Sequence, residues 1–260
     1  MLVQNSYYFF KQALKPEVCE KIIRLGEDRI EQAKAKGVNV EATTMGNNHK
    51  QAMERQGLSV VSQGEKSIDQ LKTEIGIADA DIEKSRYIRD SEVTWMNDQW
   101  LYELVYPFLH TANEQAGWKY QFGDSESFQF TKYGKGQFYG WHADGNSDHF
   151  GKYRRAIPGV TPKDSNGMYP KGLTDNPNMV GKIRKLSMTI NLNLPGDYEG
   201  GNLKFDYGPH TTGERYHECT EIRPQGSIII FPSYVYHQVT PVTSGTRYSL
   251  VLWTLGDPFK

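Results

Sequence analysis

Trp141-His142-Ala143-Asp144, with His237 and Arg247 far downstream, supplies the residue types that can do redox chemistry on a metal. Two imidazoles and one carboxylate form the ligand set that holds a ferrous ion on one face and leaves the opposite positions open for oxygen and a second molecule. The His-x-Asp spacing fits a strand, where alternate residues project to one side, so His142 and Asp144 reach one metal while Ala143 turns away. The third ligand must come from another strand, and His237 lies 95 residues beyond His142. Arg247 follows after ten more, enough to cross a turn and return on a neighbouring strand. There its planar fork can grip a carboxylate with two parallel hydrogen bonds. The same three ligands also suit zinc, and ligand types alone leave that alternative open.

These residues need a scaffold of strands. From Phe128 onward, apolar and polar residues alternate in short runs punctuated by Gly and Pro. The expected strands are Phe128–Tyr133, Gln137–Asp144, Leu186–Leu194, Gly201–Tyr207, Ser227–Phe231, Tyr236–Thr240 and Arg247–Leu255. Such a set predicts a sandwich or barrel, and periodicity alone does not choose between them. Gly200-Gly201 predicts a tight turn or bulge. Upstream, Tyr7–Phe10 reads as a short aromatic strand. Lys15-Pro16 opens a helix whose stripe is Val18, Ile22, Ile23 and Ile30, fading near Lys36-Gly37. Residues 38 to about 65 read as loop, and Ile68–Ile75 as a short helix. A second long helix is expected over Trp95–Gly117, with Trp100, Leu101, Leu104, Val105, Phe108, Leu109 and Ala112 on one face and Pro107 kinking it.

The segment from about 146 to 185 is too long for a hairpin loop. Between Lys152 and Lys185 it carries eight Lys/Arg against two Asp. A mobile basic flap beside the metal and a solvated surface excursion are the two readings. The whole is expected to be a single domain over 1–260, mainly β with supporting helices (α+β): residues 1–125 as helical support and 126–260 as the β core.

Composition narrows the function classes. With 260 residues, 37% hydrophobic and 12% aromatic, the chain can build a sizeable core. A formal net charge of −1 gives no global field for nucleic acid. Cys19 and Cys219 lie 200 residues apart, which predicts free thiols and a reducing compartment rather than a disulfide framework. The first residues lack a basic run followed by an apolar one, and no apolar stretch reaches membrane-spanning length, so a cytoplasmic location without membrane partners is expected. His49, His210 and His217 have no ligand partner at useful spacing and read as structural.

His142-x-Asp144, His237 and Arg247 resemble the motif of the iron(II)/2-oxoglutarate-dependent oxygenases. Phe231-Pro232-Ser233, His237-Gln238-Val239-Thr240-Pro241-Val242-Thr243 and Gly245-Thr246-Arg247 resemble the prolyl 4-hydroxylase-like branch, especially its PKHD-type proteins. Tyr133 and Tyr139, nine and three residues before His142, fit the branch's Tyr-x-x-Gly-x-x-Tyr-x-x-His-x-Asp pattern. The resemblance is strong over the C-terminal half and only in outline before it.

It implies a double-stranded β-helix of jelly-roll, cupin-like type, with N-terminal helices packed on it. It implies His142, Asp144 and His237 as Fe(II) ligands, and Arg247 on the distal carboxylate of 2-oxoglutarate. Tyr133 would donate its hydroxyl to the same carboxylate, Asn191 would offer a polar contact, and Leu203 and Trp253 would wall the pocket. The implied cofactors are Fe(II), 2-oxoglutarate as co-substrate, O2 and, as an option, ascorbate.

The implied reaction couples decarboxylation of 2-oxoglutarate to succinate with hydroxylation of an unactivated carbon. Asp144 favours hydroxylation over halogenation, which needs that coordination position free for halide. The expected target is a prolyl residue in a peptide or protein. The alternatives are a free amino acid or small molecule, and, in another class, a non-catalytic jelly-roll binding module. The basic flap suggests an acidic partner.

Overall fold

Alternation along three central strands explains how one sheet serves a core and a site at once. In Leu186-Ser187-Met188-Thr189-Ile190-Asn191, the apolar residues face one way and Ser187, Thr189 and Asn191 the other, yet all six are buried. A strand hidden on both faces lies in the middle of a layered protein. The computed structural model describes residues 5–42, 89–145, 151–163, 169, 172–208 and 214–259.

Strand β1 is Tyr8–Phe10, followed by helix α1, Pro16–Ala35. Strands β2 (Arg89–Asp90) and β3 (Glu92–Met96) precede helix α2, Gln99–Gln115. Then come β4 (Asp124–Ser125), β5 (Phe128–Tyr133), β6 (Phe138–His142), β7 (Arg154–Arg155), β8 (Leu173–Thr174) and β9 (Ile183–Asn191). The chain closes with β10 (Tyr198–Gly200), β11 (Leu203–Asp206), β12 (Tyr216–Glu218), β13 (Ile228–Pro232), β14 (Tyr236–Val239), β15 (Val242–Gly245) and β16 (Arg247–Gly256).

The larger sheet has the order β1-β13-β9-β16-β5-β3, with β4 also paired to β16. The smaller runs β12-β11-β14-β6-β2. Every pairing within these two sheets is antiparallel. Two antiparallel sheets whose strands alternate between layers along the chain form a jelly-roll double-stranded β-helix.

Both long helices cover the outer face of the larger sheet. Helix α1 starts at Pro16, whose missing N–H costs nothing in a first turn. It buries Cys19, Ile22, Gly26 and Ile30. A Cβ on Gly26 would stand 2.5 Å from the Phe130 ring, so only glycine lets helix and sheet approach this closely. Helix α2 buries Leu101, Val105, Leu109 and Ala112. With Phe128, Phe130, Leu186, Met188, Ile190, Leu250 and Leu252 these make the main core. Each such side chain contributes about 1.5–3 kcal/mol on burial.

Some expectations change. Trp95 belongs to β3 rather than to the second helix: it pairs with Gln129, and the helix begins at Gln99. The β-branched and aromatic run Val93-Thr94-Trp95 favours strand over the helical spacing seen further on. Helix α2 runs on through Pro107. The strand expected over Leu186–Leu194 runs from Ile183 to Asn191. The loop expected over 38–65 is described only to residue 42, and the helix expected over Ile68–Ile75 lies outside the described residues, as do His49 and His210. Cys19 and Cys219 are buried free thiols. No described helix is long and apolar enough to cross a membrane.

The segment after the metal motif also departs from a free excursion. Short strands β7 and β8 pair in parallel within it, and Ile183, Arg184 and Lys185 already belong to β9. Several of its cations are occupied: Lys182 Nζ lies 2.8 Å from Asp257, Lys185 sits 3.5 Å over the Phe259 ring, and Arg184 pairs with Glu126.

Candidate metal and co-substrate site

His142 and His237 face each other directly across β6 and β14, with ring centroids 4.2 Å apart. His142 is the last residue of β6, and Asp144 sits in a bend beyond it. So Asp144 joins His142 because the chain turns, and not because a strand alternates through both. One ligand atom from each of His142, Asp144 and His237 lies within 4.8 Å of the others.

The protonation states suit a cation. His142 Nδ1 lies 2.7 Å from the Gly140 carbonyl and His237 Nδ1 3.0 Å from the Val235 carbonyl. A carbonyl only accepts, so both Nδ1 atoms carry hydrogen, and both Nε2 atoms are the ring nitrogens that point inward. Those Nε2 atoms stand 3.5 and 3.6 Å from the two Asp144 oxygens. Burial, with His142 beside it, lowers the pKa of His237 to about 4, leaving a neutral ring at pH 7. Burial alone would raise Asp144, but the flanking imidazoles and Arg184 hold it well below the usual carboxylate range. The neutral His237 ring thus turns an Nε2 lone pair toward an ionised carboxylate. His142 Nε2 is buried without a hydrogen-bond partner. A metal cation would satisfy all three donors at once.

The bend holding Asp144 is braced from behind. Gly145 N donates to the Ser233 carbonyl at 2.9 Å, and Arg184 Nη1 to the Asp144 carbonyl at 3.2 Å. Arg184 also makes a bidentate pair with Glu126, at 2.5 and 2.6 Å. Its guanidinium lies 4.0 Å over the Trp253 ring. The sequence offered no sign of this buttress, because Glu126 and Arg184 are 58 residues apart.

Arg247 does not return beside His237. The chain crosses from β14, through β15, into the opposite sheet, where Arg247 pairs in register with Tyr133. Its side chain is 1% exposed. Among the described residues its one hydrogen bond is to Ser249 Oγ at 3.3 Å, and its buried Nε has none. The Tyr133 ring centroid lies 5.4 Å from the guanidinium. A buried guanidinium with five donors and so little acceptance among the described residues is a candidate site for an anion.

A cavity partly open to solvent joins the two features. Its lining includes His142, Asp144, His237, Arg247, Tyr133, Leu203 and Trp253. Leu203 and Trp253 are 2% and 5% exposed, and Trp253 Nε1 is another buried donor without a partner. Asn191 is not among the lining residues. Its amide donates to the Asn193 and Arg223 carbonyls and its oxygen lies 3.4 Å from Tyr198 OH, so its polarity is consumed in holding loops. Tyr139 lines the cavity and stacks on His142 with centroids 3.5 Å apart, whereas Trp141 packs away from it against Tyr216 and Tyr236. His217 bonds Tyr7 OH at 2.9 Å, as a structural histidine.

One lining residue, and the part a glycine plays beside Arg247, escaped the sequence reading. Arg89, on the two-residue strand β2, is 7% exposed and lines the cavity beside Gln129 and Thr131. Gly201, φ +58°, lets Arg247 pass. Only the Gly200-Gly201 pair signalled the latter.

Residues 128–255 match the family described as the 2OG-Fe(II) oxygenase superfamily. A PKHD-type hydroxylase of Prochlorococcus marinus is 44% identical over 80 residues, which is 30% of this chain and 33% of that one. A PKHD-type hydroxylase of Janthinobacterium sp. (strain Marseille) is 32% identical over 124 residues, 48% of this chain and 41% of that one. These matches span less than half of the relatives' own length. The solved structure of the viral collagen prolyl hydroxylase from Paramecium Bursaria Chlorella virus-1, a 2OG complex, superposes with TM-score 0.50 at 16% identity, covering 97% of each chain, which bears on the fold. The resemblance to the 2OG-Fe(II) oxygenase superfamily thus runs through residues 128–255, and the curated relatives that the chain matches are PKHD-type hydroxylases.

Proposed function

We propose that this protein is an Fe(II)/2-oxoglutarate-dependent dioxygenase that hydroxylates an unactivated carbon. The observation that carries the reading is the juxtaposition in one cavity of three convergent donors and a buried Arg247 that lacks an anionic partner. His142, Asp144 and His237 would hold the ferrous ion. Dioxygen would supply the oxidising power through the bound ion, one oxygen atom leaving in succinate as 2-oxoglutarate loses carbon dioxide and the other going to the substrate carbon.

The chain's own residues bind, orient and exclude water. Val235 and Gly140 fix the imidazole tautomers, and Arg184 and Ser233 hold the Asp144 bend. Arg247 receives the distal carboxylate of 2-oxoglutarate in a site where water competes little. Tyr133 lies beside that carboxylate position as a neutral donor. Leu203 and Trp253 wall the cavity and keep it dry. Residues 1–260 act as one oxygenase domain, its N-terminal helices backing the sheet that carries Arg247.

The favoured target is a prolyl residue in a peptide or protein, on the motif resemblance of Tyr133, Tyr139 and the His237–Arg247 segment. Incubation of candidate prolyl peptides with the iron-loaded protein, 2-oxoglutarate and oxygen tests it by mass spectrometry. The expected result is a gain of one oxygen that requires both iron and 2-oxoglutarate. Succinate formation without oxygen gain in any peptide, but with gain in a free amino acid, would move the target to small molecules. No succinate from a well-loaded protein would favour a binding module.

A further inference from the structure

The cavity holds a second guanidinium that the oxygenase reading does not use. Arg89 is 7% exposed, and its strand pairs with β6 so that Arg89 lies opposite Tyr139. Its Nε donates to Ser91 Oγ at 3.0 Å, and one Nη donates to Gln129 Oε1 at 2.7 Å and Thr131 Oγ1 at 3.3 Å. All three acceptors are neutral, and the other Nη has no acceptor among the described residues. The guanidinium sits 4.6 Å from the Tyr139 ring centroid, and that ring stacks on His142 at 3.5 Å. Arg89 is therefore one phenol and one imidazole away from the metal-facing nitrogen.

Charge decides what this arrangement wants. Among the described residues, the cavity's charged side chains are Arg89, Arg247 and Asp144. A ferrous ion adds two positive charges and 2-oxoglutarate two negative ones. One positive charge then stays uncompensated in a largely buried space, which is costly unless another anion arrives. Arg247 lies beyond Ser249, which pairs in register with Thr131, so the two guanidiniums flank the same stretch of the larger sheet. A single co-substrate carboxylate does not need both.

We infer that Arg89 is a specificity-determining residue that binds a carboxylate of the substrate, close to the carbon that is oxidised. The inference rests on the oxygenase reading and narrows its substrate to a carboxylate-bearing one. That carboxylate comes either from a free amino acid or from an acidic side chain beside the target residue. Tyr139, stacked between Arg89 and His142, bridges the anion site and the metal-facing imidazole.

Calorimetric titration of the full chain loaded with Mn(II), which supports no turnover, and with 2-oxoglutarate provides the test. The probes are L-proline, a neutral prolyl peptide blocked at both ends, and the same peptide with glutamate beside the proline. Wild type should bind L-proline or the glutamate peptide at least tenfold more tightly than the neutral one, and which of the two binds identifies the source of the carboxylate. Arg89→Gln should erase that preference while 2-oxoglutarate affinity stays within about twofold of wild type. Arg89→Lys, which keeps the charge, should retain part of it, and it serves if the glutamine variant does not fold. Equal binding of neutral and acidic probes would overturn the inference. So would binding of none of them by a protein that still takes up 2-oxoglutarate, or loss of 2-oxoglutarate affinity in Arg89→Gln. Failure of wild type to bind 2-oxoglutarate at all would instead remove the oxygenase reading beneath it.

Discussion

The Cβ that Gly201 lacks would stand 2.8 Å from Cδ of Arg247. Gly201 also has φ +58°, a conformation that side-chain-bearing residues rarely adopt. Its neighbour Gly200, φ +68°, sits at the bulge where β10 meets β15, and a Cβ there would strike the Pro241 carbonyl. The glycine pair thus sets both the turn and the room in which the guanidinium lies. Gly201→Ala is expected to lower stability by about 1–3 kcal/mol through strain. It should also weaken 2-oxoglutarate binding, because Arg247 must shift. Thermal unfolding and a 2-oxoglutarate titration read the two effects, and an unchanged 2-oxoglutarate affinity would show that the contact does not matter.

Arg247→Ala should separate the two halves of the site. Removing one partner of a buried charge pair costs about 2–5 kcal/mol, so 2-oxoglutarate affinity should fall by well over tenfold. Metal affinity, which the proposal assigns to His142, Asp144 and His237 in the facing layer, should change little. Metal and 2-oxoglutarate titrations on the same preparation check this, and equal loss of both would indicate a general folding defect.

The Glu126–Arg184 pair is a brace whose loss should be felt at the metal. Arg184→Met leaves Glu126 buried without its cation and is expected to cost about 3–5 kcal/mol. The Asp144 carbonyl loses a donor at the same time, so metal affinity should fall although no ligand has changed. Adding Glu126→Gln should recover part of the stability but not the metal affinity. Unfolding curves and metal titrations of the single and double variants distinguish the two roles.

Acid stability should depend on Glu27, which ties helix α1 to the sheet. Burial alone would raise this carboxyl, but hydrogen bonds from Lys132 at 2.8 Å and Tyr248 at 2.7 Å more than offset it, and its pKa is lowered. A group lowered by folding stabilises the protein above the ordinary carboxylate value of about 4.3, and that stability is lost as pH falls through the lower folded value. Glu27→Gln should therefore flatten the decline in stability between the ordinary carboxylate value and the lower folded one, in metal-free protein. An acid limb of the stability profile identical to wild type would remove Glu27 from this role.

The candidate site's residues were easier to find in the sequence than their geometry. His142, Asp144, His237 and Arg247 stood out because few combinations of residue types at those spacings have another use. Strand alternation, however, was the wrong reason for His142 and Asp144, since β6 ends at His142 and a bend supplies the rest. Arg247 crosses to the opposite sheet, a step that spacing alone cannot distinguish from a hairpin return. Asn191 looked available because Ser187, Thr189 and Asn191 share a face, yet loop carbonyls consume its amide. Arg89 was invisible: its strand is two residues long and shows no periodicity. The helices were legible where apolar stripes were long, and Trp95 was misplaced where a strand ends just before a helix begins.

Succinate release is the most direct test of the central claim. Wild-type protein and Asp144→Ala are incubated with 2-oxoglutarate and oxygen, with and without Fe(II), and succinate is quantified. The account predicts succinate only from wild type and only with Fe(II) present. No succinate from iron-loaded wild type, or as much from Asp144→Ala as from wild type, would contradict it.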